Sequence, residues 1–314
     1  MKKVLVLLST YNGEKYIIQQ LDSLYNQKNV DIKLLVRDDD SNDSTVELLN
    51  EYKKCHGKMI LYKGENRGPA NSFFQLLKYA VELSEHYDYY CYSDQDDVWF
   101  EDKIIRSIEG LECSPSQYKM AYCDLCTTDA KLNPLESVRT KYRIYNLYSN
   151  TVSNHIAGCC QLFNRELLLK LNKINDDRIV SLYPQMPFLH DSWTSLVAFA
   201  LNAYVYHDNN PRMYYRQHGN NTVGNMNGGN WSLYKSRILR YIKPAQHSKS
   251  AKCVCLQKVM WNDIPDENKH FIDLCANYRH NIIKKIQLLF SPNLYNYGFG
   301  EDIGAFILVF MNKF

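Results

Sequence analysis

Over the first hundred residues, short runs of apolar side chains alternate with longer segments in which apolar positions recur every three or four residues. A buried strand reads as a continuous apolar run and a packed helix as a stripe of period 3.6, so the alternation predicts a parallel sheet with crossover helices. Val4 to Leu8 is the first such strand, and from Gly13 onward Tyr16, Ile17, Gln20, Leu21 and Leu24 follow at helical spacing. Ile32 to Val36 is the second. Ser44 to Tyr52, with Val46, Leu48, Leu49 and Tyr52 on one side, predicts a second helix capped by Asp43 or Ser44. Met59 to Tyr62 reads as a third strand, Phe73, Phe74, Leu76, Leu77 and Ala80 as a third helix after the Gly68-Pro69 break, and Tyr87 to Tyr92 as a fourth strand. The order β-α-β-α-β-α-β is nucleotide-binding architecture.

Beyond Trp99 the pattern predicts a helix near Asp102 to Leu111, a strand near Tyr118 to Cys123, and a polar stretch to about Asn154. Helices follow over Arg165 to Leu171 and over Ser192 to Leu201, the latter opened by His190-Asp191. The last eighty or so residues read as helical and peripheral. The expected division is a catalytic domain over 1–228, with a nucleotide-binding half (1–110) and an acceptor half (111–228), and a helical C-terminal region over 229–314.

Composition narrows the classes. A net charge of +3 across 314 residues gives no global field suited to nucleic acid, so any acidic partner must be met locally. The start, Met1-Lys2-Lys3 followed by five apolar residues, is too short for a signal-peptide core or a membrane span, and a cytoplasmic protein is expected. In that compartment the ten cysteines read as reduced, buried small residues. Cys123 and Cys126 form a CxxC, but neither Cys159-Cys160 nor Cys253/Cys255 supplies the second pair a structural zinc would need.

In open α/β sheets ligands bind beyond the carboxyl ends of the strands. Those ends are here Ser9-Thr10-Tyr11-Asn12-Gly13-Glu14, Asp38-Asp39-Asp40-Ser41 and Ser93-Asp94-Gln95-Asp96-Asp97. A cap needs one acid, whereas the last turn offers three in four residues. Crowded carboxylates resist ionising unless a cation is present, and hard oxygen ligands favour Mg²⁺ or Mn²⁺ with positions left open for substrate phosphates. A nucleoside diphosphate is the implied ligand.

These turns, together with Asn66-Arg67-Gly68 and His190-Asp191, make the chain similar to family 2 glycosyltransferases over about residues 2 to 225. The resemblance implies an α/β GT-A nucleotide-diphospho-sugar transferase fold, a Rossmann-like mixed sheet flanked by helices, with a helical C-terminal extension, and inverting sugar transfer. It places Thr10, Tyr11, Asn12, Glu14, Asp38 and Asp39 about the base and ribose, Arg67 and Arg216 near phosphate, and Asp94 and Gln95 in the Asp-Gln-Asp metal element. Asp96 and His218, the latter in Tyr215-Arg216-Gln217-His218-Gly219, become candidate metal ligands, and Asp97 a brace for the loop. Asp191 stands where the family has its general base, with His190, Trp193 and the Gly158 loop on the acceptor side. Asp40 occupies a position usually held by Gly, which bears on the turn if φ is positive there.

The resemblance to bacterial rhamnosyltransferase-like members favours dTDP-rhamnose as donor, with a UDP-sugar meeting the same motifs, and a glycan or lipid-linked oligosaccharide as acceptor. A sugar nucleotidyltransferase would need a Gly-rich loop after the first strand, and Ser-Thr-Tyr-Asn-Gly lacks one. An inactive glycan- or nucleotide-binding subunit is disfavoured because the expected acids are all present. Lys235, Arg237, Arg240, Lys243 and Lys249 interleave with Leu233, Tyr234, Ile238, Leu239, Tyr241 and Ile242. That pattern, with the apolar run from Ile303 to Met311, suits either packing on the catalytic domain or peripheral contact with an anionic membrane.

Overall fold

A computed structural model describes residues 1–135, 145–154, 156–218, 249–295, 297 and 299–314. The basic stretch over residues 233–243 and the 228/229 boundary lie outside the described residues. The chain divides into two compact units: the first holds 1–135, 156–175 and 203–218, the second 145–154, 176–202 and the described residues from 249 on.

The first unit is built on an eight-stranded sheet in the order β3-β2-β1-β4-β7-β6-β8-β5. Its parallel half is the part the apolar periodicity predicts: β1 (Lys2–Thr10), β2 (Val30–Asp38), β3 (Met59–Lys63) and β4 (Tyr89–Ser93). Val4 through Leu8 expose no surface, and burying side chains of this size contributes about 1.5–3 kcal/mol each. The crossovers are α1 (Ile17–Tyr25), α2 (Thr45–His56) and α3 (Gly68–Glu82), with Pro69 in the first turn of α3, where its missing N–H costs nothing.

The other half of the sheet is mixed. β7 (Gln161–Asn164) pairs antiparallel with both β4 and β6 (Lys119–Thr128), while β6 runs parallel to β8 (Tyr204–Arg216) and the short β5 (Val98–Trp99) pairs antiparallel with β8. The register of β6 against β8 shifts between Cys123 and Cys126, where Pro211 sits opposite Asp124. A bulge is where a strand tolerates proline. The helix α4 (Lys103–Glu112) packs against β8 through Gly110, where a Cβ would fall 2.2 Å from the Tyr206 ring. α6 (Arg165–Leu171) completes this unit, capped by the Asn164 side chain.

The second unit is helical: α5 (Leu147–Val152), α7 (Asp177–Leu182), α8 (His190–Ala200), α9 (Lys249–Met260), α10 (Asp266–Asn277), α11 (Ile282–Leu289) and α12 (Phe299–Phe310). Asn146 and Ser149 form a reciprocal capping box that starts α5 inside the stretch read as merely polar. The terminal helices are not peripheral to their own unit. Ala251, Cys253, Cys255 and Leu256 of α9 are buried, and Asn268 of α10 donates to the carbonyl of Ala200 at 3.1 Å. Phe314 is buried too, its amide donating to the Tyr278 hydroxyl at 3.0 Å.

Asp40, in the turn after β2, has φ 72° and an exposed side chain. The left-handed region costs a residue with a Cβ roughly 1–2 kcal/mol, while glycine gives back about 0.4–1 kcal/mol in unfolded-state entropy. Asp40→Gly is therefore expected to stabilise the protein by about 0.5–1 kcal/mol, read as a higher urea midpoint at unchanged slope.

Candidate active site

The turns after β1 and β2 are bonded to one another. Asn12, at φ 48°, donates its amide to Ser41 Oγ at 2.9 Å and accepts from the Asn42 amide at 2.8 Å. Gly13 N donates to Thr45 Oγ1 at 2.8 Å, Glu14 N to Asp43 Oδ2 at 3.1 Å, and Glu14 Oε2 accepts from Ser44 N at 2.9 Å. Side chains that the sequence assigns to the nucleotide thus also hold two loops in register. Gly13 is required here by close approach, since a Cβ would lie 2.3 Å from Gln95 Oε1. Gln95 clamps the first turn to the third, accepting from Tyr11 N at 2.8 Å and donating to Tyr11 O at 2.9 Å.

Asp38 is buried and accepts from Thr10 Oγ1 at 2.8 Å, Ser41 N at 2.9 Å and Ser41 Oγ at 2.6 Å. Asp39 is buried against the Arg37 guanidinium and accepts from the amides of Arg67 (3.0 Å) and Gly68 (2.9 Å), which makes it an anchor for the start of α3. The Tyr11 ring is 44% exposed and the Arg67 side chain is exposed, so both present a face to a ligand.

At the third turn Asp96 Oδ2 and His218 Nε2 are 2.7 Å apart, bringing together the two residues singled out as metal ligands. Behind them, Asp94, Asp97 and Cys159 have potential ligand atoms all within 4.8 Å of one another. Asp97 is fully buried and its Oδ2 has no hydrogen-bond partner; burial, then the charges of Asp96 and Asp94, push its carboxyl well above the usual carboxylate range. The hydrogen bond with Cys160 acts to lower the Cys159 thiol, but burial and the charges of Asp97 and Asp94 outweigh it and leave the thiol raised, and a neutral thiol is a poor ligand. Asp94 groups with Asp97 and Cys159, not with Asp96 and His218; a divalent cation beside Asp96 and His218 would relieve part of the repulsion that, after burial, weighs on Asp97.

Arg216, expected near the diphosphate, is instead committed inside the protein. Only 3% of it is exposed, and Nε donates to Asp96 O (2.8 Å), Nη1 to Ala130 O (2.6 Å) and Nη2 to Gln19 Oε1 (2.7 Å). Its guanidinium also lies 4.5 Å from the centroid of the Tyr16 ring, which in turn lies 5.1 Å from the His218 ring. Tyr16 reads in the sequence only as part of a helical stripe and Gln19 lies off it; nothing in their spacing marks them as supports of the turn after β4.

Gly158 is buried and opens a one-turn 3₁₀ helix, Gly158–Cys160. In the second unit, Asp191 lies in the first turn of α8, where the helix dipole favours an anion, and its Oδ1 accepts from Ser192 N at 2.5 Å. Its residue surface is partly accessible, yet burial still pushes its carboxyl up to about 6. His190 is buried and pushed down to about 3, hence neutral. Trp193, expected toward the acceptor, has no exposed surface and stacks on Phe188, ring centroids 5.9 Å apart. It is a core residue of α8.

The fold has solved counterparts. S. aureus TarS 1-349 in complex with UDP-GlcNAc superposes with TM-score 0.55 at 16% identity, covering 98% of this chain and 90% of that one. The mannosyltransferase PcManGT of Pyrobaculum calidifontis, in complex with GDP-Man and Mn²⁺, gives 0.52 at 16% identity over 100% and 88%. The architecture is that of GT-A glycosyltransferases: a mixed sheet with flanking helices and a helical C-terminal part. Residues 5–171 match the profile of glycosyl transferase family 2, and the chain belongs to that family. It is a glycosyltransferase, 32% identical to the dTDP-rhamnosyl transferase RfbG of Shigella flexneri over 222 residues, 69% of this chain and 73% of that protein. It is also 28% identical to the abequosyltransferase RfbV of Salmonella typhimurium over 158 residues, 48% of this chain and 45% of that one.

If Arg216 braces the turn after β4, Arg216→Met is expected to cost folding stability, since three part-buried acceptors lose a charged donor; about 2 kcal/mol is expected in urea unfolding. A residue whose only task was to bind phosphate would leave the urea midpoint in place.

Proposed function

We propose that the protein is an inverting glycosyltransferase that moves a deoxyhexosyl or hexosyl group from a nucleoside-diphosphate donor to a hydroxyl of a glycan or lipid-linked oligosaccharide acceptor, in the building of a surface polysaccharide. The observation that carries this reading is the pairing of Asp96 with His218 at the end of β4, beside a buried Asp97 destabilised by like charge. dTDP-rhamnose is the favoured donor, supported by the likeness to a dTDP-rhamnosyl transferase; a UDP-sugar is the alternative. The base and ribose rest against Tyr11, with Thr10 and Asp38 orienting them from below and the exposed Arg67 meeting phosphate. Asp96 and His218 would hold Mn²⁺ or Mg²⁺, which would supply Lewis-acid stabilisation of the leaving diphosphate.

Asp191 accepts the proton of the attacking hydroxyl. A carboxyl titrating at about 6 is ionised at neutral pH yet basic enough to share a proton in the transition state. No covalent intermediate is needed, because a single displacement at the anomeric carbon inverts it.

The test is a thermal-shift screen of dTDP-, UDP- and GDP-sugars with Mn²⁺, Mg²⁺ or EDTA. One nucleotide should raise the midpoint, and EDTA or Asp96→Ala should abolish the shift. Equal shifts with and without EDTA would sink the metal reading. Asp191→Asn should keep the donor-induced shift and lose transfer by roughly 10²-fold or more. In the wild type, kcat/KM should fall tenfold per unit below about pH 6, as protonation removes the base.

A membrane-side location is part of the proposal. Among the described residues no helix is long and apolar enough to cross a membrane. The face of α11 and α12 nevertheless exposes Ile282, Ile283, Ile286, Phe290, Phe306 and Phe310, with Lys284, Lys285 and Lys313 beside them. Lys284 is paired with Asp273 and Lys285 with the Phe310 carbonyl, so the large apolar side chains carry this reading, and they suit the headgroup boundary of a bilayer. Ile283→Asp with Phe290→Asp is expected to lower sedimentation with vesicles containing anionic lipid, by roughly tenfold per side chain withdrawn. Equal sedimentation of both proteins would exclude this face.

A further inference from the structure

We propose that Lys252 of α9 is a positioning residue for Asp191, holding the base ionised and fixing the first turn of α8 through Ser192. This rests on the reading of Asp191 as the base. It adds a requirement that the family motifs do not contain, since Lys252 lies in the C-terminal helices, beyond the residues that match the family profile.

Lys252 is 4% exposed, and its Nζ lies 2.5 Å from Ser192 Oγ. Ser192 in turn donates its amide to Asp191 Oδ1 at 2.5 Å. An ammonium taken this far from water needs a partner of opposite charge. The surrounding elements leave Asp191 as that partner. On α8, His190 is neutral. On α9, Lys249 donates to the Val152 carbonyl of α5 and lies over the Phe314 ring, while the Cys255 thiol is pushed up by burial to about 12. Cys253 beside Lys252 and Cys275 on α10 form a buried thiol pair, with Cys275 raised well above its usual value by burial and by that contact. Asp273 of α10 is engaged by Lys284 at 2.7 Å, Glu267 accepts from Asn202 at 2.7 Å, and Asp177 and Arg178 of α7 are exposed.

The two groups bear on each other in the expected directions. Burial, the largest effect, raises Asp191, while the Ser192 amide and then Lys252 oppose that rise; burial lowers Lys252 to about 8, while Cys253 and then Asp191 oppose the fall. Without Lys252 the desolvation of Asp191 would lose its cationic counterpart. The amides and the dipole of the helix start would then keep it ionised less well, and at neutral pH a larger share of the protein would carry a protonated, inert acid.

The experiment is a carboxyl ¹³C NMR titration of the full chain labelled at aspartate, in which the Asp191 resonance is the one missing from Asp191→Asn. In Lys252→Met its midpoint is expected to rise by about one pH unit, and in Lys252→Arg to stay with the wild type. Ser192→Ala, a milder change that serves if Lys252→Met does not fold, should raise it in the same direction by less. An unmoved midpoint in folded Lys252→Met, or in Ser192→Ala if that variant alone folds, overturns the proposal. The reading beneath it is tested separately: turnover by Asp191→Asn, measured as nucleoside diphosphate released from the donor that the thermal-shift screen identifies, would remove Asp191 as base whatever the titration shows.

Discussion

Desolvated negative charge is the constraint around which this protein is arranged. Each of the candidate turns carries carboxylates drawn wholly or partly away from water, and each is matched by a different device. Asp39 has a buried guanidinium, Arg37, and two amides at the start of α3. Asp38 has no cation but three hydroxyl or amide donors. Asp191 has a helix N-terminus and a lysine from α9. Asp97 alone is left with an orphaned oxygen, and its neighbours Asp94 and Asp96 make its position worse. A buried carboxylate repelled by its neighbours is the setting in which a nearby cation would gain most, because a full set of internal partners would leave a metal nothing to gain.

Arg216 shows how positive charge can serve such a site without touching the ligand. Its guanidinium ties the Asp96 carbonyl to α1 through Gln19 and to the carbonyl of Ala130, so the turn after β4 is held through its backbone without engaging its carboxylates in an ion pair with Arg216. An arginine free to reach phosphate would be solvated and would pay rotamer entropy on binding; a buried one has paid it in folding. The Tyr16 ring, with Arg216 near it at 4.5 Å and His218 at 5.1 Å, extends the same support to the second candidate ligand.

The parallel half of the sheet was legible because β1 to β4 bury both faces and so read as unbroken apolar runs with helical stripes between them. β8 was not. Its centre, Asp208-Asn209-Asn210-Pro211, carries the composition of a loop, and only the register shift against β6 lets a strand accommodate it. β7 is four residues ending in the asparagine that caps α6, so its signal merges with the helix start. In the candidate site, Asp38, Asp96 and Asp191 stood out because acids after strands and before helices are visible in one dimension. Gln19, Tyr16 and Lys252 did not, since each matters only through a partner 60 or more residues away, as the Lys252 and Ser192 pair illustrates.

The interlocked turns after β1 and β2 bear on how the donor would be recognised. Asn12, Glu14, Ser41 and Asp43 spend polar atoms on one another, and both turns use a residue at positive φ, Asn12 and Asp40, to bring their amides into range. Loops that satisfy each other in this way are rigid before any nucleotide arrives, so little ordering entropy remains to oppose binding. The same economy limits specificity from these residues, because an amide or carboxylate already bonded across the turns has fewer lone pairs and protons to offer a base. Selection among donor bases would then fall to the groups still facing outward, the Tyr11 ring and the Arg67 side chain, together with whichever edge of Asp38 the base can approach. A ring that stacks on a base and a flexible cation would tolerate more than one pyrimidine, so a donor held by these turns would be selected for its diphosphate more than for its base.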